Sequence, residues 1–277
     1  MFIAEIGINH NGSLSIALEL INEAIEAGAD VVKFQKRTPD VCVPKSQKHV
    51  KRQTPWGEMD YIDYKKKIEF EKDEYDVIDV HCKNKGIKWT ASVWDEDSLD
   101  FIAGYDVPFI KIPSALIRNH GLLKAVAHTG KNVVVSTGMS SETDVLEAIE
   151  VLVRSGASEE SISIMSCCSA YPAPLSELNL NTITYLKKKF PNSKIGYSSH
   201  SDELLPTIIS KALGCSVFEH HFTFDKTAWG SDHIFSLTKV ELEFLIRSLD
   251  SVDEMMGSYI PKITKSEEPA RLKLQAS

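Results

Sequence analysis

Two histidines occupy matching positions in the last third of the chain, and imidazole is a common ligand of divalent metals. His200 follows the apolar run Ile195–Tyr197, His221 follows Val217–Phe218, and a helix-like segment separates them. Because a strand-helix-strand unit brings both carboxyl ends to one edge of a parallel sheet, the two rings are expected to lie together there. We predict that they share one divalent metal. The alternative is a pair of hydrogen-bonded core histidines.

Two lysines interrupt runs that are otherwise apolar, Lys33 in VVKFQ and Lys111 in FIKI. A buried ammonium needs a partner, and an anionic ligand bound by the lysines and nearby serine hydroxyls would supply one. The alternative is a structural network in which the lysines pair with Glu5 and Glu219. We favour the anion site, because the network leaves the serines without a role. The polar residues at the predicted strand ends are Glu5, Lys33, Gln35, Ser92, Lys111, Ser114, Ser136, Thr137, Ser169, Tyr171, Ser198, His200, Glu219 and His221.

Strand-like and helix-like segments alternate along the chain, and this order positions the polar residues. The predicted strands are Phe2–Ile8, Val31–Gln35, Ile87–Val93, Phe109–Ile112, Val133–Val135, Ser161–Ser166, Ile195–Tyr197 and Val217–Phe218. The predicted helices are Ser13–Ala27, Lys72–Lys85, Glu96–Ala103, Leu122–His128, Ser141–Arg154, Leu178–Lys189, Asp202–Gly214 and Lys239–Met256. Such alternation predicts an α/β fold, a closed (β/α)8 TIM barrel over residues 1–257, with an open doubly wound sheet as the competitor.

Two stretches depart from this alternation. Residues 36–70 contain Pro39, Pro44 and Pro55 and are predicted to form a long loop, either functional or merely a solvated excursion. Residues 258–277 are polar and are expected to form a linker-like tail.

Composition restricts the classes of function. A formal net charge of −8 argues against a nucleic-acid binder, and no stretch has the length of a membrane span. The five cysteines show no disulfide-like spacing, and the first residues do not resemble a signal peptide, so a cytoplasmic protein is expected. STGM does not match the phosphate loop of nucleotide-binding proteins.

Several short motifs agree in order and spacing with one enzyme family. At AEIGINHNG, VVKFQ, STGM, AYPAP, IGYSSH and FEHHFT the chain resembles the sialic acid synthase (NeuB-like) family over Phe2–Leu237. The stretches TPWGEMDYIDYKKKIEF and DKTAWGSDH look like the branch that contains the animal-type synthases. The resemblance implies an enzyme that condenses phosphoenolpyruvate with an N-acylmannosamine-like or related aldose to a 3-deoxy-2-ulosonic acid, releasing phosphate by C–O cleavage.

The resemblance also implies roles for individual residues. His200 and His221 would hold Mn²⁺ or Mg²⁺, and Glu5 would be an acid/base or orienting group near that metal. The positions that match the family's phosphoenolpyruvate site are Lys33, Ser92, Lys111, Ser114, Ser136 and Ser198, with Ser169 where some members have asparagine. The sugar would contact Gln35, Tyr171 and Asp232. Glu5, Lys33, Lys111, His200 and His221 are the expected catalytic residues.

Three departures from the family pattern bear on the substrate. Ala115-Leu116 stands where many members have Asp or Glu, and His220 stands where an arginine is usual. The sequence is expected to lack the small antifreeze-like (SAF) domain that follows the barrel in the family, which makes a sugar other than N-acetylmannosamine more credible. The resemblance implies a homodimer and leaves room for a separate protein that carries the SAF domain.

Other activities remain alternatives. A lyase-type aldolase would use Lys33 or Lys111 as a Schiff base. A metal-dependent hydrolase is weakened because only two histidines lie at strand ends, without a cluster of carboxylates. A barrel that only binds a sugar acid is the least favoured.

Overall fold

The computed structural model describes residues 1–275 and contains a closed barrel of eight parallel strands, with one separate hairpin. The strands are β1 (Phe2–Gly7), β2 (Val31–Lys36), β3 (Lys51–Thr54), β4 (Gly57–Asp60), β5 (Lys88–Val93), β6 (Ile110–Ile112), β7 (Val133–Ser136), β8 (Ile162–Cys167), β9 (Lys194–Ser199) and β10 (Val217–His221). The barrel order is β1-β10-β9-β8-β7-β6-β5-β2, and β3 pairs with β4. Because β1 pairs in parallel with both β2 and β10, the predicted TIM barrel is confirmed and the open sheet is excluded.

The helices surround the barrel. They are α1 (Leu14–Glu26), α2 (Pro39–Cys42), α3 (Tyr61–Ile68), α4 (Lys72–Lys85), α5 (Glu96–Ala103), α6 (His120–His128), α7 (Glu142–Arg154), α8 (Asn181–Lys189), α9 (Leu205–Ala212), α10 (Lys239–Met256) and α11 (Glu268–Leu274). Each of the eight predicted helices is present, with its ends within a few residues of the prediction. Capping residues fix several ends: Ser13 accepts from the Ile16 backbone nitrogen, and Ser141 and Thr238 form capping boxes.

The barrel interior has an apolar floor and a polar mouth at the carboxyl ends of the strands. The floor is a cluster of buried residues: Ile3, Val31, Phe109, Val134, Met165 and Val217. Because side chains two residues apart on a strand share a face, the interior positions that follow are occupied by Glu5, Lys33, Lys111, Ser136, Cys167 and Glu219. A ring of mostly polar side chains therefore lies above the apolar floor, at the mouth of the barrel.

The prediction that residues 36–70 form a long loop is wrong. This stretch contains α2, the β3–β4 hairpin and α3, and α3 buries Ile62, Tyr64 and Ile68. The ring of Tyr64 meets that of Trp229 edge-on, with centroids 5.5 Å apart, so the excursion contacts the loop after β10. α2, β3 and β4 have four residues each, and α3 carries the three successive lysines Lys65, Lys66 and Lys67, so no apolar spacing marks these elements in the sequence.

The polypeptide after α10 is exposed as far as it is described. Residues 257–275 contain α11, which the linker-like composition did not predict, and residues 276–277 lie outside the described part. Between Met1 and Gln275, no helix combines the length and the apolar character that crossing a bilayer requires.

Candidate active site at the mouth of the barrel

A cavity of about 100 Å³ opens at the mouth, and most of the predicted site residues line it. Glu5, Lys33, Gln35, Ser92, Lys111, Ser114, Ser136, Tyr171, Ser198, His200 and His221 all contribute to its wall. Ser169 and Asp232 do not line this cavity. Ser169 lies on the wall of a neighbouring cavity, and Asp232 reaches the site through His221, with Oδ2 3.8 Å from Nδ1.

A buried network of two lysines and two glutamates crosses the cavity floor. Lys111 Nζ lies 2.7 Å from Glu219 Oε1 and 2.8 Å from Oε2. Lys33 pairs with Glu5 and lies 3.6 Å from Glu219 Oε2, and it donates to Ser92 Oγ at 3.0 Å. The network that the sequence offered as an alternative to the anion site is therefore present. It supplies the charge balance that two buried ammonium groups require.

The ion pairs of this network and its burial shift the pKa values of its two carboxyl groups in opposite directions. Burial alone would raise the pKa of Glu219, but the charges of Lys111 and Lys33 and a bond from Ser198 hold it well below its usual range. Burial raises the pKa of Glu5, Lys33 offsets this only in part, and the negative charge of Glu219 raises it further. Glu219 is therefore the fixed negative charge of the pair, and Glu5 is the carboxyl that takes up a proton more readily.

Serine hydroxyls at three strand ends surround the lysines. Ser136 Oγ and Ser169 Oγ are buried and have no hydrogen-bond partner among residues 1–275. Ser114 Oγ accepts from the Gly138 backbone nitrogen at 3.0 Å, which leaves its own proton to donate. A Cβ on Gly138 would collide with Ser169 Oγ and would lie 2.8 Å from Ser114 Oγ, so the absent side chain keeps this corner open. The free hydroxyls can donate to the oxygens of an anion.

The two predicted metal ligands lie side by side at the ends of the neighbouring strands β9 and β10, with ring centroids 5.7 Å apart and ring planes inclined by 50°. His200 Nδ1 is 2.8 Å from the Cys168 carbonyl, which can only accept, so this nitrogen carries the proton and Nε2 is the free nitrogen. Burial lowers the pKa of His221 to about 4, and its buried Nδ1 has no hydrogen-bond partner within the described chain. A neutral imidazole with a free nitrogen is the form that binds a metal.

Two imidazoles with free nitrogens fit a divalent ion that keeps most of its coordination positions for water or substrate. The described residues contain no cluster of three or more His, Cys, Asp or Glu side chains arranged as a complete metal site. An ion held by these two imidazoles would have further coordination positions open to oxygen ligands such as water or substrate. That arrangement suits Mn²⁺ or Mg²⁺ better than a closed structural zinc site.

A glycine lets Glu5 approach the second histidine. Strand β1 bulges between Glu5 and Gly7, and Gly7 has φ of 56°, in the left-handed region. A Cβ on Gly7 would lie 3.1 Å from Glu5 Oε1, 3.2 Å from Gln35 Nε2 and 3.5 Å from His221 Cε1. Gln35 Nε2 also donates to Glu5 Oε1 at 3.0 Å. Because Gly7 has no side chain, the carboxyl group of Glu5, the amide of Gln35 and the imidazole of His221 can all lie close to its backbone.

Sequence reasoning missed an aromatic residue that positions both imidazoles. The buried ring of Phe235 lies 5.0 Å from that of His221 and 5.8 Å from that of His200, edge-on to each. Tyr171 covers His200 from the solvent side, with centroids 4.3 Å apart. No sequence pattern indicated Phe235. The position of Glu219, in contrast, can be read from the sequence. It precedes His221 by two residues on the same strand, so the two side chains point to the same face of the sheet.

The departures at His220 and Ala115 have different consequences. His220 points away from the interior, where Nε2 lies 2.6 Å from Thr207 Oγ1 in α9, and its ring stacks on Phe2. This difference from the family pattern therefore lies outside the cavity. Ala115 does line the cavity, where its methyl group leaves room that a carboxylate would fill.

Comparison with known proteins gives a consistent result. A profile of the NeuB family matches residues 20–261. The N,N'-diacetyllegionaminic acid synthase of Campylobacter jejuni is 34% identical over 270 residues, which are 97% of this chain and 80% of the relative. The N-acetylneuraminate-9-phosphate synthase of Drosophila melanogaster is 38% identical, over 96% of this chain and 73% of the relative.

A solved structure agrees with the fold. The crystal structure of N-acetylneuraminic acid (sialic acid) synthetase from Leptospira borgpetersenii, in complex with citrate, superposes with a TM-score of 0.87. It is 28% identical and covers 100% of this chain and 92% of its own. None of these three proteins is named as an aldolase. At Lys33 the Schiff-base alternative is also disfavoured by the protonation state: despite its burial, the charges of Glu219 and Glu5 raise its pKa, and an amine must be free of its proton to attack a carbonyl.

Proposed function

This chain belongs to the NeuB family, and we propose that it condenses phosphoenolpyruvate with an N-acylmannosamine-like or related aldose. The products are a 3-deoxy-2-ulosonic acid and inorganic phosphate. In this reaction C3 of phosphoenolpyruvate attacks the aldehyde carbon, C2 takes up water, and the tetrahedral product loses phosphate by C–O cleavage. The synthases of sialic-acid-type sugars among its relatives support this assignment.

The single observation that carries the proposal is the pair of buried ammonium groups beside unpartnered hydroxyls. Lys33 and Lys111 lie in the barrel interior, and Ser136 and Ser169 offer buried donors that no described residue uses. Phosphoenolpyruvate carries a phosphate and a carboxylate, and both accept charge-assisted hydrogen bonds. We assign the deep part of the cavity to this substrate, held by Lys33, Ser92, Lys111, Ser114, Ser136 and Ser198. Ser169, which lies next to Ser114 at Gly138, would donate from the edge of this cavity.

The sugar is assigned to the outer part of the site. A divalent ion, Mn²⁺ or Mg²⁺, held by His200 and His221 would polarise the carbonyl of the open-chain aldose. Gln35, Tyr171 and Asp232 would contact the sugar hydroxyls around it. Fixing both reactants in one cavity converts a bimolecular step into one between oriented neighbours.

Glu5 is the proposed acid/base group. Its carboxyl is buried, accepts from Gln35 and lies beside Lys33 and Gly7, on the path between the imidazoles and the deep pocket. A carboxyl whose pKa is raised by burial can accept a proton from the attacking water and return it later. Glu219 keeps its charge and holds Lys111 in place instead.

The experiment that tests the proposal is phosphate release from phosphoenolpyruvate with Mn²⁺ and a panel of aldoses. The panel contains mannose, N-acetylmannosamine, its 6-phosphate and a diacetamido-sugar. Release that depends on both a sugar and a metal supports the synthase, and mass spectrometry identifies the nine-carbon acid. Phosphate release at the same rate without any sugar, or none with the whole panel, would reject it.

The compartment and the assembly are further proposals. All five cysteines are free thiols, which fits a reducing compartment such as the cytoplasm. We also infer a homodimer, supported by the exposed apolar side chains Val240, Phe244 and Met255 on α10. Light scattering of the purified protein tests this. A purely monomeric protein would overturn the homodimer.

A further inference from the structure

Arg37 contacts the wall of the cavity from outside, Lys65 lies near Arg37, and the chemistry assigned above uses neither of these two basic residues at the rim. Arg37 follows β2, and Lys65 belongs to α3 in the excursion that packs over the mouth. We propose that Arg37 and Lys65 bind a phosphate ester of the aldose, at the end of the sugar remote from its aldehyde. This inference rests on the proposed function and specifies the substrate class of that same site.

Arg37 contacts two residues of the cavity wall. Its Nη2 donates to Gln35 Oε1, and its guanidinium stacks on Trp94, with Cζ 4.1 Å from the ring centroid. These contacts fix the plane of the guanidinium. Its Nη1 is buried and has no hydrogen-bond acceptor in the described chain. Because a native structure rarely leaves such a donor unused, an acceptor supplied by a ligand is the expected partner.

Lys65 is held without a hydrogen-bonding partner. Its ammonium lies 5.3 Å from the ring centroid of Tyr61 and 5.2 Å from that of Tyr64. The salt bridges among residues 1–275 include neither Lys65 nor Arg37. Burial, and then the nearby charge of Arg37, lower the pKa of Lys65 to about 8. The rings of Tyr61 and Tyr64 thus hold the Lys65 ammonium in place, and its N–H groups remain available to donate hydrogen bonds.

The carboxylates near this pair do not neutralise it. Glu69 accepts from the Arg37 backbone nitrogen at 2.9 Å, but its charge is paired with Lys36 at 3.4 Å. Asp232 is the remaining carboxylate that acts on both cations, and it also lies 3.8 Å from His221. Two cations therefore share one carboxylate, which leaves positive charge at the rim on the side assigned to the sugar.

A phosphate ester matches this arrangement. A planar guanidinium binds two phosphate oxygens at once, and an ammonium can bind the third as a point charge. Phosphoenolpyruvate does not need the pair, because Lys33 and Lys111 provide its cations deeper in the barrel. The uncompensated charge at the rim therefore fits a second anionic group, carried by the other substrate.

The test compares N-acetylmannosamine 6-phosphate with N-acetylmannosamine, as the ratio of their kcat/KM values at saturating phosphoenolpyruvate and Mn²⁺. We expect a ratio of about 100 for the unaltered protein, since hydrogen bonds to charged groups are each worth about 10-fold or more. Arg37→Met and Lys65→Met should each lower the ratio by about 10-fold, and Arg37→Lys should restore part of it. Lys66→Met is the matched control, because Lys66 lies on the same helix and pairs with Asp40; it should leave the ratio unchanged.

The outcomes separate the two proposals. A ratio near one in the unaltered protein, or one that neither variant changes, overturns the phosphate subsite while leaving the synthase intact. Turnover of no sugar rejects the synthase, and calorimetric titration with the same two sugars then decides the subsite. Tighter binding of the 6-phosphate that Arg37→Met abolishes supports it, and equal dissociation constants overturn it. If Arg37→Met fails to fold, Lys65→Met gives the same comparison.

Discussion

The ammonium of Lys111 and the carboxylate of Glu219 meet from opposite sides of the barrel, with Nζ 2.7 Å from Oε1 and 2.8 Å from Oε2. Lys111 lies on β6 and Glu219 on β10, four places apart in the eight-stranded order. Lys33, on β2, lies 3.6 Å from the same carboxylate. One glutamate therefore sets the positions of both cations that are proposed to bind phosphoenolpyruvate.

Removing one partner of this pair should cost both stability and activity. In Lys111→Met the buried carboxylate keeps the hydrogen bond from Ser198 but, of its two ion pairs, only the longer one with Lys33, so we expect the free energy of unfolding to fall by about 3–5 kcal/mol. Urea unfolding measures this. The double variant Lys111→Met/Glu219→Gln should regain most of the stability but no phosphate release, because the anion has lost a cation. A single variant as stable as the unaltered protein would contradict the network.

The metal assignment predicts a sharp effect at the second histidine. His221→Ala should abolish turnover and metal retention while the barrel stays folded, because it removes one of only two protein ligands. Metal content after dialysis against buffer and circular dichroism check these two expectations. His128→Ala, at an exposed position at the end of α6, is the control. Bound metal together with activity in His221→Ala would disprove the ligand assignment.

The corner formed by Gly138 should not tolerate a side chain. In Gly138→Ala the added methyl group must displace Ser169 Oγ and Ser114 Oγ, which are two proposed donors to phosphoenolpyruvate. The KM for phosphoenolpyruvate should rise by about 10- to 100-fold, since each charge-assisted bond is worth about 1.5–3 kcal/mol. Steady-state kinetics measure this. Gly104→Ala, where the nearest atom is 3.4 Å from the added carbon, should leave KM unchanged; an unchanged KM in Gly138→Ala would remove these serines from the site.

Acid should destabilise the protein through a histidine outside the site. His10 is buried against Phe70, accepts from the Gly12 backbone nitrogen, and burial lowers its pKa to about 3. The unfolded chain takes up this proton near pH 6.5 and the folded protein does not, so stability is lost as pH falls from about 6.5 to 3. The slope from this one group is at most about 1.4 kcal/mol per pH unit.

Urea unfolding at pH 7, 6, 5 and 4 measures that slope. His10→Gln should flatten it by up to one proton, because glutamine does not titrate, even if the variant is less stable at pH 7. His128→Gln, at an exposed position, should leave the slope unchanged. Equal slopes in all three proteins would show that other groups govern acid unfolding.

The barrel and most of its mouth could be predicted because they follow from local patterns. The alternation that places Ile3 and Glu5, or Val217 and Glu219, on one face is visible in the sequence, and so is the polar residue that ends each apolar run. The sequence offered an anion site and an ion-pair network as alternatives for Lys33 and Lys111. The structure contains the network, and the anion site stays a prediction on the same residues.

What the sequence did not reveal depends on contacts between distant segments. Phe235 positions both imidazoles only because the loop after β10 returns over the mouth. Arg37 and Lys65 become neighbours only because residues 36–70 fold into short helices and a hairpin. Neither segment has a periodic pattern long enough to predict its course.

The closure of the barrel also sets the order in which this site can form during synthesis. Strand β1 pairs with β10, Glu5 lies opposite His221, and the Met1 nitrogen donates to the Ser216 carbonyl, 215 positions further along the chain. The ribosome therefore releases β1 long before its second neighbour exists, and one edge of this strand stays unpaired throughout that interval. A nascent chain that stops short of β10 carries Glu5 and Lys33 but neither Glu219 nor His221. Translation must pass β10 before the barrel can close, so a shorter product lacks residues on which the proposed metal and phosphoenolpyruvate sites depend.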